Sequence, residues 1–408
     1  MKTKNTKIDS MILYFINNNI NIIYFIIISL LALFIRNEFR GWVTQDYQKF
    51  LLPWSEYLES NGGFAGIASG PPNANYPVAY LYILAFLTYL PASYLAKIKV
   101  VSVFFDFVSA VFVMLTVREL GGYRKRSIIP LLAYATALLI PTSILNSAAW
   151  GQCDSIYTCF LLITLYFLIK EKYPLALIGF GIAFSFKLQA IFFLPVLLLL
   201  YFKNKNFSLL HFLFIPVTFF LISLPAIIIG KPIDEILNIY INQMQTHQMT
   251  VLNFPNMYNF LPDLYRQFAV PGILLTLAIL ISLYSVILKS THIILQDSSL
   301  IEVSLLTVMI CVYTLPSMHE RYLFSGDMIA VIYTFIRKDR PYVPLSIWFI
   351  SLNGYILYLF KFGPLIDYRI LAIVYFAIIV VMARDLIYNV HRNILPRKTK
   401  ISNMYLFR

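Results

Sequence analysis

Apolar runs separated by short polar breaks recur along the chain from Ile20 almost to its C-terminus. A helix needs about 20 apolar residues to cross a bilayer, with about 17 to 25 the usual range. The pattern predicts spans at 20–35, 98–118, 127–145, 155–170, 174–187, 189–203, 208–229, 270–288, 299–315, 322–337, 342–360 and 368–388. The pair 174–187 and 189–203 also reads as one broken or re-entrant element. The stretch 77–94 either spans or lies against the surface as a juxtamembrane helix. No polar stretch is long enough to bury a soluble core of its own. The expected fold is therefore all-α, a polytopic transmembrane helical bundle of about 12 spans forming a single domain over 1–408. A first external loop at 36–97 holds juxtamembrane helices, and a second lies at 230–269.

Within the first loop, residues 45–58 place Tyr47, Phe50, Leu51, Trp54 and Leu58 on one helical stripe, with Gln45, Gln48, Lys49, Ser55 and Glu56 largely off it. Such a helix rests in the bilayer interface, kinked or divided at Pro53. Asp46 stands at its start, where a carboxylate suits either an N-cap or a catalytic role. Beyond it, Gly62, Gly63, Gly66, Gly70, Pro71 and Pro72 lead to Asn75-Tyr76-Pro77, a segment that either covers a site or connects two surface helices.

Composition agrees with the pattern: 60% of the 408 residues are hydrophobic and 12% charged, far from soluble averages. The formal charge of +13 is scattered in short clusters between apolar runs, so it does not form a nucleic-acid face. It reports topology instead, because Lys and Arg near span ends favour the cytoplasm. With 77–94 not spanning and both termini cytoplasmic, 21 of the 32 basic residues fall inside. The first segment lacks a small-residue cleavage site and reads as an uncleaved span. Cys153, Cys159 and Cys311 show no metal or disulfide spacing and read as free thiols.

This topology carries a consequence: Asp46, Trp150 to Asp154, Lys187, Gln189, His247, Asn253, Asn256 and His319 to Arg321 all fall on the external side. Trp150 suits an interfacial belt, whereas Gln152 and Asp154 call for a cavity or a partner. Lys187 either snorkels or serves a site. His319-Glu320-Arg321-Tyr322 fails the HExxH zinc pattern but offers an Arg suited to a bidentate grip on phosphate. Adjacent residues on a helix diverge, so a pairing of Glu320 with Arg321 is not assumed. Asp106 and Asp327 lie inside spans. The cytoplasmic loops are short and contain neither GxxxxGK[ST] nor Asp-x-Asp, which points to a substrate arriving through the membrane.

In these residues the chain resembles the GT-C superfamily of membrane glycosyltransferases. It is more closely similar to the branch related to the enzyme adding the second mannose of GPI anchors and its prokaryotic relatives. The resemblance covers most of the chain up to about residue 330. It rests on Asp46, Tyr76-Pro77, the Trp150-Gly151-Gln152-x-Asp154 signature, the Phe186-Lys187-x-Gln189 step, Asn253-x-x-Asn256 and His319 to Tyr322. Tyr258 stands where relatives often carry Trp, and Tyr76-Pro77 lacks a second Pro. The resemblance implies an inverting transfer of a hexose, often mannose, from a polyprenyl- or dolichyl-phosphate carrier to a lipid, glycan or protein acceptor, without a metal or other cofactor. It implies Asp46 as the catalytic base, Arg321, His319 and Lys187 around the donor phosphate, and Trp150, Gln152, Asp154, Gln189, Asn253, Asn256, Glu320, Tyr76 and His247 around sugar and acceptor. The membrane is then the plasma membrane of a prokaryote or the endoplasmic reticulum of a eukaryote, with an extracytoplasmic site. A lipid-linked oligosaccharide polymerase or ligase, and a transporter or flippase with Asp106 and Asp327 on its path, are the alternatives.

Overall fold

The computed structural model describes residues 6–124, 126–246, 248–290, 295 and 297–391. Its first helix, α1 (Lys7–Asn37), opens on a reciprocal cap between Thr6 and Asp9. At 1.5 Å per residue it rises about 46 Å, longer than the ~30 Å hydrocarbon core. Ala32 and Arg36 are its buried residues, so most of its apolar surface is left for lipid.

The first loop then folds on itself. A π-helical turn, Tyr47–Leu51, runs directly into α2 (Leu52–Ser60), and a 3₁₀ turn, Gly63–Ile67, leads towards α3 (Val78–Thr88). Pro53 sits in the first turn of α2, just after the change from π-helical turn to α-helix, which is where the expected division falls. Tyr47, Leu51, Trp54 and Leu58 are buried against α3, while Phe50 of the expected stripe stays exposed. The 11 residues of α3 rise only about 16 Å, about half the hydrocarbon thickness. The apolar run at 77–94 thus resolves as a short helix followed by a turn, not as a straight span.

Next come α4 (Tyr94–Gly121), α5 (Ile129–Leu139) and α6 (Pro141–Ile144), the last continuing as a π-helical turn, Leu145–Trp150. Pro141 breaks the apolar run, and the two halves meet at a bend of 53°. They are followed by α7 (Asp154–Ile169), α8 (Tyr173–Phe186), a 3₁₀ turn Leu188–Phe193 with α9 (Leu194–Lys203), and α10 (Phe214–Ile228). The second external segment supplies α11 (Ile233–Thr246). The chain closes with α12 (Tyr265–Lys289), α13 (Ser298–Thr314), α14 (Phe324–Ile336), α15 (Tyr342–Phe360) and α16 (Tyr368–His391).

All twelve expected spans are helical, and the protein is an all-α polytopic bundle in the membrane. Six helices among the described residues are long and apolar enough to cross alone, or up to seven if the bent pair is one span. The others, α7, α8, the 188–203 helix, α13 and α14, lie close to their expected bounds but are shorter than the ~20 residues a lone span needs. Their burial explains this: every residue of α13 from Ser299 to Thr314 is buried, and a helix enclosed by protein need not match the lipid thickness. The main core gathers α4, α5, α7, α8, α9, α13, α14 and α16. A second cluster joins α2 and α3 to the start of α7.

A buried ion pair fixes the exit of α1. Arg36 donates to Asp106 of α4 (Nη2 to Oδ2, 2.9 Å), to Ser143 Oγ (3.0 Å) and to the Leu138 carbonyl at the bend (2.9 Å). Ser147 Oγ also donates to Asp106. Asp327 accepts from Ser351 Oγ at 2.8 Å. Both intramembrane carboxylates therefore hold helices together through short polar contacts.

Candidate active site

The path from α1 into the first loop is tied down by Lys99 of α4, which is buried. Its Nζ donates to the carbonyls of Phe39 and Trp42, each at 2.6 Å. Thr44 Oγ1 then accepts from the Tyr47 N–H, taking the capping role expected of Asp46, whose side chain caps nothing. The Asp46 carboxylate points at the π-helical turn ending in Trp150. Its Oδ2 accepts from Trp150 Nε1 (3.0 Å) and Gln152 Nε2 (2.8 Å), and its Oδ1 from Tyr358 Oη (2.5 Å).

Local backbone makes this convergence possible. The wide π-helical turn ends at Gly151 with φ of +73°, a left-handed conformation that glycine adopts without a Cβ penalty. The chain reverses there, so that Trp150 and Gln152 reach the same carboxylate oxygen. Gln152 is held at both ends: Ser102 donates to its carbonyl at 2.9 Å, and Tyr76 Oη donates to its Oε1 at 3.2 Å. Burial pushes the Tyr76 phenol well above its usual pKa, which keeps it a donor at neutral pH.

Behind Asp46 lies a charged network. Lys187 occupies the one-residue break between α8 and the next 3₁₀ turn and is 4% exposed, so it does not snorkel. Its Nζ meets Asp154 Oδ1 at 2.7 Å. Arg321 joins three acids: Glu320 at 3.1 Å, Asp154 at 3.5 Å and Asp46 at 3.9 Å. The guanidinium also lies 5.0 Å from the centroid of the Trp150 ring, a cation–π distance. Glu320 does pair with Arg321, a contact the sequence left open, and the reason is backbone: α14 begins only at Phe324, so the two adjacent side chains need not diverge. His319 Nδ1 is 3.8 Å from Glu320 Oε2.

The loop carrying Arg321 is braced from two sides. Met318–His319 pairs in parallel with Val251–Leu252, forming strands β2 and β1. Gly354 of α15 admits both: a Cβ there would stand 2.7 Å from the Glu320 Cβ and 3.1 Å from the Asn253 carbonyl. One turn further along α15, Tyr358 stacks on Trp150 with centroids 4.3 Å apart.

Asp46, Tyr76, Trp150, Gln152, Asp154, Lys187, Glu320 and Arg321 thus form one connected cluster, with His319 at its edge. Asn256 is elsewhere: its Oδ1 caps the short turn Met257–Phe260 through the Tyr258 N–H at 3.0 Å. Asn253 is exposed in a left-handed turn at φ of +59°. Gln189 is buried, and its Oε1 meets no hydrogen-bond partner among the described residues. His247 lies outside the described residues. Tyr358 and Lys99 were not expected: one reads as an interfacial aromatic and the other as a basic residue flanking a span. Among the described residues no three His, Cys, Asp or Glu side chains are placed to hold a metal ion.

A carboxylate fixed by three donors, next to the buried Lys187 and the largely buried Arg321, forms the polar centre of this membrane bundle. The family model described as ALG3 protein matches residues 24–247, more than half of the chain, and the chain belongs to that family, a GT-C mannosyltransferase family. GPI mannosyltransferase 1 of Saccharomyces cerevisiae is 28% identical over 109 residues, a match covering 26% of each chain. The family match takes in Asp46, Tyr76, Trp150, Gln152, Asp154 and Lys187. Glu320, Arg321 and Tyr358 lie beyond it.

Proposed function

We propose that this protein is an inverting glycosyltransferase that moves a hexose, most consistently mannose, from a polyprenyl- or dolichyl-phosphate carrier to a hydroxyl of a lipid, glycan or protein acceptor. The observation that carries the reading is the Asp46 carboxylate, oriented by Trp150, Gln152 and Tyr358 within 3.9 Å of the Arg321 guanidinium. Family membership and the relative's name, GPI mannosyltransferase 1, support the sugar.

In this mechanism the acceptor oxygen attacks the anomeric carbon as the bond from that carbon to the phosphate oxygen breaks. The phosphate departs with the electron pair, and Asp46 takes the acceptor's proton. Arg321 and Lys187 receive the charge that builds on the leaving phosphate, in a site with little water to screen it. The contact from Arg321 to Asp46 is the longest of its three acidic contacts, and a donor phosphate would displace it first. That exchange would release Asp46 for the acceptor. The basic clusters between spans support an extracytoplasmic site.

The test is stereochemical. Purified protein in proteoliposomes, given polyprenyl-phosphate mannose of known anomeric configuration, should form a mannoside of the opposite configuration and should not use a nucleotide-linked mannose. A product that retains the donor's configuration would sink the single-displacement mechanism.

A further inference from the structure

The first loop and α11 border an open-mouthed cavity of about 320 Å³, at the small end of the range typical of ligand sites. Its walls are the segment from Ser69 to Leu81 and the inner side of α11. On that helix Glu235, Asn238, Ile239 and Asn242 line the cavity, at the spacing of one helical face. Ile233, Leu237 and Ile241 follow a different face and are 54%, 52% and 48% exposed. An amphipathic helix of this kind lies in the bilayer interface, which sets the cavity at the depth of lipid headgroups. Gln243 Nε2 donates to the Asn75 carbonyl, and Gly70, with φ of +71°, lets the loop pass Lys231 closely: a Cβ there would be 3.1 Å from its Nζ.

The lining has a definite chemistry. Asn73, Asn238 and Asn242 each carry both a donor and an acceptor, matching hydroxyl groups that do the same. Among the described residues the lining holds one cation, Lys231, which pairs with Glu235 at 3.1 Å. There is no net charge for a phosphate, in contrast to the Lys187 and Arg321 region. Tyr76 belongs to both places: it walls the cavity and donates to Gln152, which donates to Asp46.

We infer that this cavity holds the sugar of the acceptor, a neutral polyhydroxylated glycan that extends past Tyr76 and Gln152 so that its attacking hydroxyl reaches Asp46, which takes the proton. The inference rests on the transfer reading for the word acceptor, but occupancy by glycan is measurable without turnover. Asn238 is exposed and the three cysteines are buried, so Asn238→Cys in the purified full chain gives a maleimide-labelling site with little background. Mannobiose at ~30 mM, above a ~1 mM dissociation constant, should slow that labelling several-fold, whereas inorganic phosphate at the same concentration should not. Labelling slowed by neither, or slowed by phosphate as much as by mannobiose, overturns the assignment. In transfer assays Asn238→Trp should raise the acceptor KM about tenfold with kcat and donor affinity unchanged, the signature of lost ground-state contact. An unchanged KM also overturns it. A wild-type chain that transfers no sugar refutes the transfer reading instead, and the labelling result still decides what the cavity binds.

Discussion

At the residue scale, three donors from two distant segments, the end of the π-helical turn with the break after it and α15, share the two oxygens of Asp46. A hydrogen bond to a charged group contributes about 1.5–3 kcal/mol. Tyr358→Phe removes one and keeps the ring stacked on Trp150. Turnover is therefore expected to fall about tenfold or more with donor affinity retained, measured as initial rates against donor titrations. Gln152 and Asp46 stood out in the sequence as polar residues beside apolar runs, whereas Trp150 read as a belt residue and was singled out only by the resemblance. Tyr358 was not legible, since an aromatic near a helix end resembles any membrane-belt residue, and 312 positions separate it from Asp46. Lys187 and Asp154 were legible as polar exceptions, but their mutual contact was not. Lys187→Met leaves Asp154 with Arg321 alone, and breaking a buried pair costs about 3–5 kcal/mol. A lower unfolding temperature in detergent, together with weaker donor binding, is the expected result.

At the element scale, the site depends on breaks more than on helices. The bend at Pro141, the π-helical turn into Gly151, the single-residue gap at Lys187 and the loop before α14 each supply one side of the cluster. Hydrophobic period located the helices within a few residues but carried no information about these breaks, which tertiary contacts define. The predicted span at 322–337 begins two residues ahead of α14, and the non-helical backbone that lets Glu320 reach Arg321 lies just before it. The Arg36–Asp106 pair holds α1 and α4 around the bend. Arg36→Met strands a carboxylate that is 1% exposed and is expected to destabilise the protein by about 3–5 kcal/mol. The double change Arg36→Met with Asp106→Leu removes both charges and should recover much of the loss. Thermal unfolding of the three proteins in one detergent checks this. A double variant no better than Arg36→Met would assign the pair a role beyond charge balance.

At the scale of the whole molecule, composition alone identifies an integral membrane bundle, and the structure joins residues from both ends of the chain into one polar cluster. The orientation we propose from the basic clusters has the first loop facing away from the cytoplasm and the loop between α9 and α10 facing it. Ser60 and Lys205 are exposed on these two loops. With the native cysteines buried, a membrane-impermeant maleimide applied to intact cells should label Ser60→Cys and spare Lys205→Cys. The reverse pattern would place the reaction on the cytoplasmic side.

The most direct measurement for the transfer reading is the turnover of Asp46→Asn in purified, reconstituted protein. The substitution keeps the side chain's size and one acceptor oxygen while removing the base. Loss of a general base lowers turnover by about 10²- to 10⁴-fold, so a fall of that size is expected, with cross-linking of the polyprenyl-phosphate sugar unchanged. Turnover near that of the wild type would contradict the assignment of Asp46 and with it the proposed mechanism.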